Sequence, residues 1–139
     1  MLAVGVDILE VDRMTRGMTR HGTRFCDRFF TAREQEQCGG RAASLAGRFA
    51  VKEAVSKALG TGIGDVTWKE IEIISDERGR PSLTLHGAAA RLAADRGLDE
   101  WAISLSHTNT HAIGMAVALA AGMGFTSTDT DPINPERGE

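Results

Sequence analysis

Tyrosine is absent from this 139-residue sequence, and aromatic residues of all kinds amount to 5%. A surface that stacks nucleic-acid bases needs aromatic side chains, so a base-reading role has little to work with. Only two cysteines occur, Cys26 and Cys38, which form neither a CxxC pair nor a disulfide framework. Reduced thiols in a cytoplasmic protein are the expectation. Long hydrophobic runs are lacking as well. The opening MLAVGVDILE has no basic segment and reaches Asp7 too early for a secretory signal. The longest uncharged apolar run, AIGMAVALAAGMGF after His111, falls short of the roughly 18 residues of a membrane span.

What is present suits one folded domain. Hydrophobic residues make up 42% and charged residues 25%, ordinary values for a chain long enough to bury a core without staples. The formal net charge of −3 is unevenly spread. The segment 125–139 carries Asp129, Asp131, Glu136 and Glu139 against Arg137, and it is expected to be an acidic tail without fixed structure. Positions 12–33 carry Arg13, Arg16, Arg20, Arg24, Arg28 and Arg33 against Asp12 and Asp27, a basic patch.

The pattern along residues 1–124 predicts an α+β domain with a mainly antiparallel sheet packed with helices. LAVGVDI reads as a short buried strand, and an arginine-rich helical stretch limited by Gly17 and Gly22 follows. Arg41 to Leu59 fits a helix stopped by Gly60, and GTGIGD after it is a loop. IEIIS and PSLTLH flank a glycine-containing turn as a hairpin, GAAARLAADRG is a short helix, and WAISLSH and AIGMAVALA form a second hairpin.

Several residues in this frame could carry chemistry. Asp7 closes an apolar strand, where it either caps the next helix or holds a hard cation such as Mg²⁺. Glu53 and Lys57 are four apart and share a helix face; as a surface pair they would be worth roughly 0.2–0.5 kcal/mol. Three features favour a site instead. Phe49 lies on the same stripe, Arg48, Lys52 and Lys57 gather cations around one acid, and the glycine-rich loop that includes Gly64 lets backbone approach a ligand. Asp7 with Glu53 would supply the one or two carboxylates that Mg²⁺ usually takes from protein. GTGIG lacks both the spacing and the preceding strand of a nucleotide loop. SLSHTNTH puts His107 and Thr108 at a strand end, where contact with a phosphate is a better reading than zinc or a nucleophile pair.

These residues also carry a resemblance. GVDILEVDR, RFAVKEAVSKALG, GRP and ISLSHT occur in the order of four motifs of the holo-[acyl-carrier-protein] synthases, the short phosphopantetheinyl transferases. The resemblance spans about Met1 to Ala121. It implies transfer of the 4′-phosphopantetheine arm of coenzyme A to a serine of acyl carrier protein, with release of 3′,5′-ADP, activating the carrier for fatty acid biosynthesis. It implies Mg²⁺ on Asp7 and Glu53, phosphate contact from Lys57, and coenzyme A contacts from Arg48, Gly64, His107 and Thr108. Arg13, with Arg20 and Arg24, would meet the acidic carrier protein. The short family members form homotrimers with active sites between subunits. Two other readings compete: a non-catalytic basic module that binds an acidic protein, and a different Mg²⁺-dependent nucleotide-phosphate enzyme.

Overall fold

The computed structural model describes residues 1–120; the expected acidic tail lies outside the described residues. The chain runs β1 (Leu2–Glu10), α1 (Val11–His21), α2 (Thr23–Phe29), α3 (Ala32–Cys38) and α4 (Ala42–Leu59). A 3₁₀ turn (Trp68–Glu70) leads to β2 (Ile71–Ser75), β3 (Pro81–Leu85), α5 (Gly87–Asp95), β4 (Glu100–His107) and β5 (His111–Leu119). Both predicted hairpins form, β2 with β3 and β4 with β5, and β1 joins the far side of β5 to give the antiparallel order β1-β5-β4.

The helix α4 lies directly on the inner face of that sheet. Its backbone comes so close that a Cβ on Gly5 of β1 would strike the Ala54 carbonyl, and one on Gly114 of β5 would strike the Val51 amide. The two glycines thus serve a close approach, not an unusual backbone conformation. Sheet, hairpin, α3 and the 3₁₀ turn cover α4 nearly all round, and even Arg48, Lys52 and Ser56 are buried. Gly60, in the left-handed conformation at φ 75°, ends it as predicted.

Two expectations need correcting. β1 is not a buried strand. Its alternation turns Gly5, Asp7 and Leu9 inward, but leaves Leu2 68% and Ile8 64% exposed, with Val4 and Val6 beside them. Ile113 and Met115 of β5 extend this strip, with Ile8 opposite Ile113 and Val6 opposite Met115. The strand reads as buried because both of its faces are apolar, although no described residue covers the outer one. The arginine-rich stretch, in turn, is not limited at Gly17, which lies inside α1 with ordinary helical backbone; Gly22 does end a helix, as expected. Gly22, at φ 58°, separates α1, which carries Arg13, Arg16 and Arg20, from α2, which carries Arg24 and Arg28. A third helix, α3, went unforeseen. Thr31 and Glu34 form its capping box, in which Thr31 Oγ1 accepts from the Glu34 amide at 3.2 Å and Glu34 Oε1 from the Thr31 amide at 2.9 Å.

Candidate active site

The inward turn of Asp7 points it at the C-terminal half of α4. Lys57 Nζ donates to Asp7 Oδ1 at 3.0 Å and to the Val6 carbonyl at 2.9 Å, so the lysine bridges helix and strand instead of pairing with Glu53 along its own helix. Both side chains remain partly open, 52% for Lys57 and 23% for Asp7. Glu53, one turn before Lys57, faces the same place. Burial pushes its carboxyl above the ordinary value, the charge of Asp7 pushes in the same direction, and Lys57 pulls it back. Among the described residues no hydrogen-bond donor engages this carboxylate. Two acids from separate motifs therefore meet beside one ammonium group. A cation placed between them would relieve their repulsion, and the two-carboxylate donor set fits Mg²⁺, with room for water and phosphate oxygens.

Lys52 does not belong to this cluster. It is fully buried on another face of α4, and its Nζ donates to Glu34 Oε1 at 2.8 Å, to the Trp68 carbonyl at 2.9 Å and to the Ile71 carbonyl. The expected gathering of three cations around Glu53 thus reduces to Lys57. Helical spacing fixes the angle between two side chains but does not reveal what covers each of them.

Arg48 lies one turn before Lys52 on that same face. Its Nε donates to the Ile73 carbonyl at 3.0 Å, Nη1 to Cys38 Sγ at 2.9 Å, and Nη2 to Gln37 Oε1 at 2.7 Å and Ser75 Oγ at 3.4 Å. The guanidinium is a structural lock, yet it also lines a groove of about 350 Å³. His107 at the end of β4 and Gly79 of the GRP turn line the same groove, which brings residues of three motifs to one place. Arg41 lines it too and is exposed, held by Nη2 to the Gln37 carbonyl at 2.9 Å and by Nε to Ser44 Oγ at 3.4 Å. Arg41 was not singled out from sequence. Its signal was its position just before α4, in a stretch dominated by two glycines.

The remaining candidates are placed as follows. Thr108 sits in the β4–β5 turn, where its hydroxyl accepts from the Thr110 amide at 3.2 Å and the His111 amide at 3.1 Å. Gly64, at φ 138°, sits in the loop after α4 with open space where a side chain would be. Arg13, Arg16 and Arg20 line a groove of about 690 Å³ along α1, and Arg24 and Arg28 line one of about 480 Å³ along α2. Among the described residues no group of three or more His, Cys, Asp or Glu side chains is placed to hold a metal ion, so His107 and His111 build no zinc site there. Neither cysteine is bonded to the other.

Comparison with known proteins finds relatives over most of the chain. The 4′-phosphopantetheinyl transferase superfamily matches residues 3–116. The holo-[acyl-carrier-protein] synthase of Moorella thermoacetica is 48% identical over 122 residues, covering 86% of this chain and 93% of the relative. The same enzyme of Herpetosiphon aurantiacus is 43% identical over 126 residues, covering 86% and 99%. Among solved structures, the Helicobacter pylori holo-[acyl-carrier-protein] synthase in complex with coenzyme A superimposes with a TM-score of 0.77 at 31% identity, over 84% of this chain and 99% of that one. The basic-module alternative therefore falls, and the chain belongs to the holo-[acyl-carrier-protein] synthase family of 4′-phosphopantetheinyl transferases.

Proposed function

We propose that the chain transfers the 4′-phosphopantetheine arm of coenzyme A to a serine hydroxyl of apo acyl carrier protein, with Mg²⁺, releasing 3′,5′-ADP and readying the carrier for fatty acid biosynthesis. The observation that carries this reading is the meeting of Asp7 and Glu53, 46 positions apart in sequence, beside Lys57. In phosphoryl transfer a protein acts mainly by positioning groups and neutralising charge, and this cluster is equipped for both. Mg²⁺ held by the two carboxylates would supply Lewis-acid polarisation of the pyrophosphate. Lys57 is anchored by the Val6 carbonyl, so its ammonium group stays beside the reacting phosphates. The serine oxygen forms the new bond to phosphorus, the pyrophosphate bridge breaks, and the serine proton leaves toward the Asp7–Glu53 carboxylate pair.

A second phosphate of coenzyme A has a place in the groove between α4 and the β2–β3 turn. Arg41 and His107 present exposed donors there, and the buried charge of Arg48 supplies a positive floor. Thr108 holds the turn that carries His107, and Gly64 leaves room for cofactor backbone contact beyond α4. The arginine-lined grooves of α1 and α2, with Arg13, Arg20 and Arg24, suit the acidic carrier protein. The exposed apolar strip of β1 and β5 suits a homotrimer, because contiguous exposed apolar surface marks an interface. Among the described residues no helix is long and apolar enough to cross a membrane, and the unpaired thiols suit the cytoplasm.

The test is intact-mass spectrometry of apo acyl carrier protein incubated with the protein, coenzyme A and Mg²⁺. A gain of one phosphopantetheine, lost in EDTA and with Glu53→Gln, is expected. No gain on several folded carriers refutes the reading.

A further inference from the structure

The helix α1 carries a glycine at its middle, although alanine would make a stronger helix there. Gly17 has ordinary helical backbone, with no positive φ, so conformation does not demand glycine. Space does. A Cβ on Gly17 would run into three ring carbons of Phe25 on α2. The Phe25 ring lies on the bare backbone of α1, and it forms part of the wall of both basic grooves, the one along Arg13, Arg16 and Arg20 and the one along Arg24 and Arg28. On its other side stands Phe29, with ring centroids 4.9 Å apart at an interplanar angle of 64°. Phe29 is itself backed by Phe49 and Trp68, each at 5.4 Å. The ring therefore has no route toward the core, and a methyl group at position 17 must drive it outward into the grooves.

We propose that Gly17 is a specificity-determining positioning residue for the carrier protein: by seating Phe25 against α1, it sets the depth of the two arginine-lined grooves. This rests on the reading of those grooves as the docking surface for the acidic substrate. Gly17 acts through Phe25, and neither groove that Phe25 walls is lined by Asp7, Glu53 or Lys57, so its effect falls on carrier recognition and not on the chemistry.

The test is a cycle of Gly17→Ala, Phe25→Ala and the double variant, with KM for apo acyl carrier protein, KM for coenzyme A, and kcat measured for each. Gly17→Ala raises the carrier KM about tenfold, the cost of modest overpacking, while kcat and the coenzyme A KM hold. In the Phe25→Ala background the same change has no further effect, because no ring remains to be displaced. An unchanged carrier KM overturns the proposal, as does an equal loss in kcat or coenzyme A KM, or the same penalty in both backgrounds. Should Gly17→Ala fail to fold, Phe25→Trp fills the same grooves from the native Gly17. It must then show the carrier-only defect, and an unchanged carrier KM with Phe25→Trp also overturns the proposal. Calorimetric titration with apo carrier, without coenzyme A, separates this idea from the transfer reading. If the wild type binds carrier without turnover and Gly17→Ala loses that binding, the inference stands and the transfer reading fails. If the wild type binds no carrier, the inference is overturned.

Discussion

Replacing Lys52 with methionine tests how the site-bearing helix is held. Lys52 and Glu34 are each 0% exposed and joined at 2.8 Å, and Glu34 Oε2 also accepts from the Ile73 amide at 3.1 Å. Burial lowers the Lys52 pKa, with the charge of Glu34 working against that shift. The methionine fills similar volume but leaves the Glu34 carboxylate buried without its cation and strips a donor from the Trp68 and Ile71 carbonyls. Breaking one side of a buried pair costs about 3–5 kcal/mol. For a chain of this size that lowers the melting temperature by about 12–20 °C. Urea denaturation at fixed protein concentration measures the loss. The double variant Lys52→Met/Glu34→Gln should lose much less than the sum of the singles, because glutamine keeps an acceptor for Ile73 without an orphan charge. The pH dependence has a definite sign. The folded state holds fewer protons on Lys52 below the ordinary value of 10.5, so wild-type stability from this group rises with pH across that window, and Lys52→Met lacks the rise. A single-variant loss under about 1 kcal/mol, or strictly additive losses, would refute the buried-pair reasoning.

Glu53→Gln should melt higher than the wild type in EDTA at neutral pH, since it removes a carboxylate whose folded pKa is raised. The wild type keeps the full contribution of this group below 4.5 and loses it as pH rises through the raised value, so calorimetry should show the two proteins converging in acid. Arg41→Ala should raise the KM for coenzyme A roughly tenfold with little change in kcat, the signature of a lost charge-assisted phosphate contact read by steady-state transfer assays. Ile8→Lys should shift sedimentation toward the monomer, because it places a charge in the strip where Ile8 faces Ile113.

The hairpins, the long helix and its glycine stop were legible because each rests on local pattern, apolar periodicity bounded by turn residues. Asp7, Glu53 and Lys57 were legible as motif residues, and the structure adds that Lys57 donates its hydrogen bond to Asp7 and not to Glu53. Lys52 was misread because its true partner, Glu34, stands on another helix, and the sequence spacing between them carries no geometric information. Gly22 was legible as a helix limit, but Gly17 was misread as one, because a glycine that makes room for the Phe25 ring looks the same in sequence as one that stops a helix. The outer face of β1 was misread because apolar pattern states a preference for burial and not what supplies it. Arg41 escaped notice because its use depends on Gln37, Ser44 and the distant β2–β3 turn closing a groove around it.

The tight seating of α4 on Gly5 and Gly114 has a consequence for motion. The segment that carries Glu53 and Lys57 is also the most enclosed helix among the described residues, so its amides should exchange with solvent only when the whole fold opens. A site mounted this way has its acids set before any substrate arrives and leaves little scope for loosening them selectively. The outer helices α1 and α2, with their solvent-open grooves, offer more scope for adjustment, although Phe29 of α2 still packs on Phe49 of the helix that bears the acid.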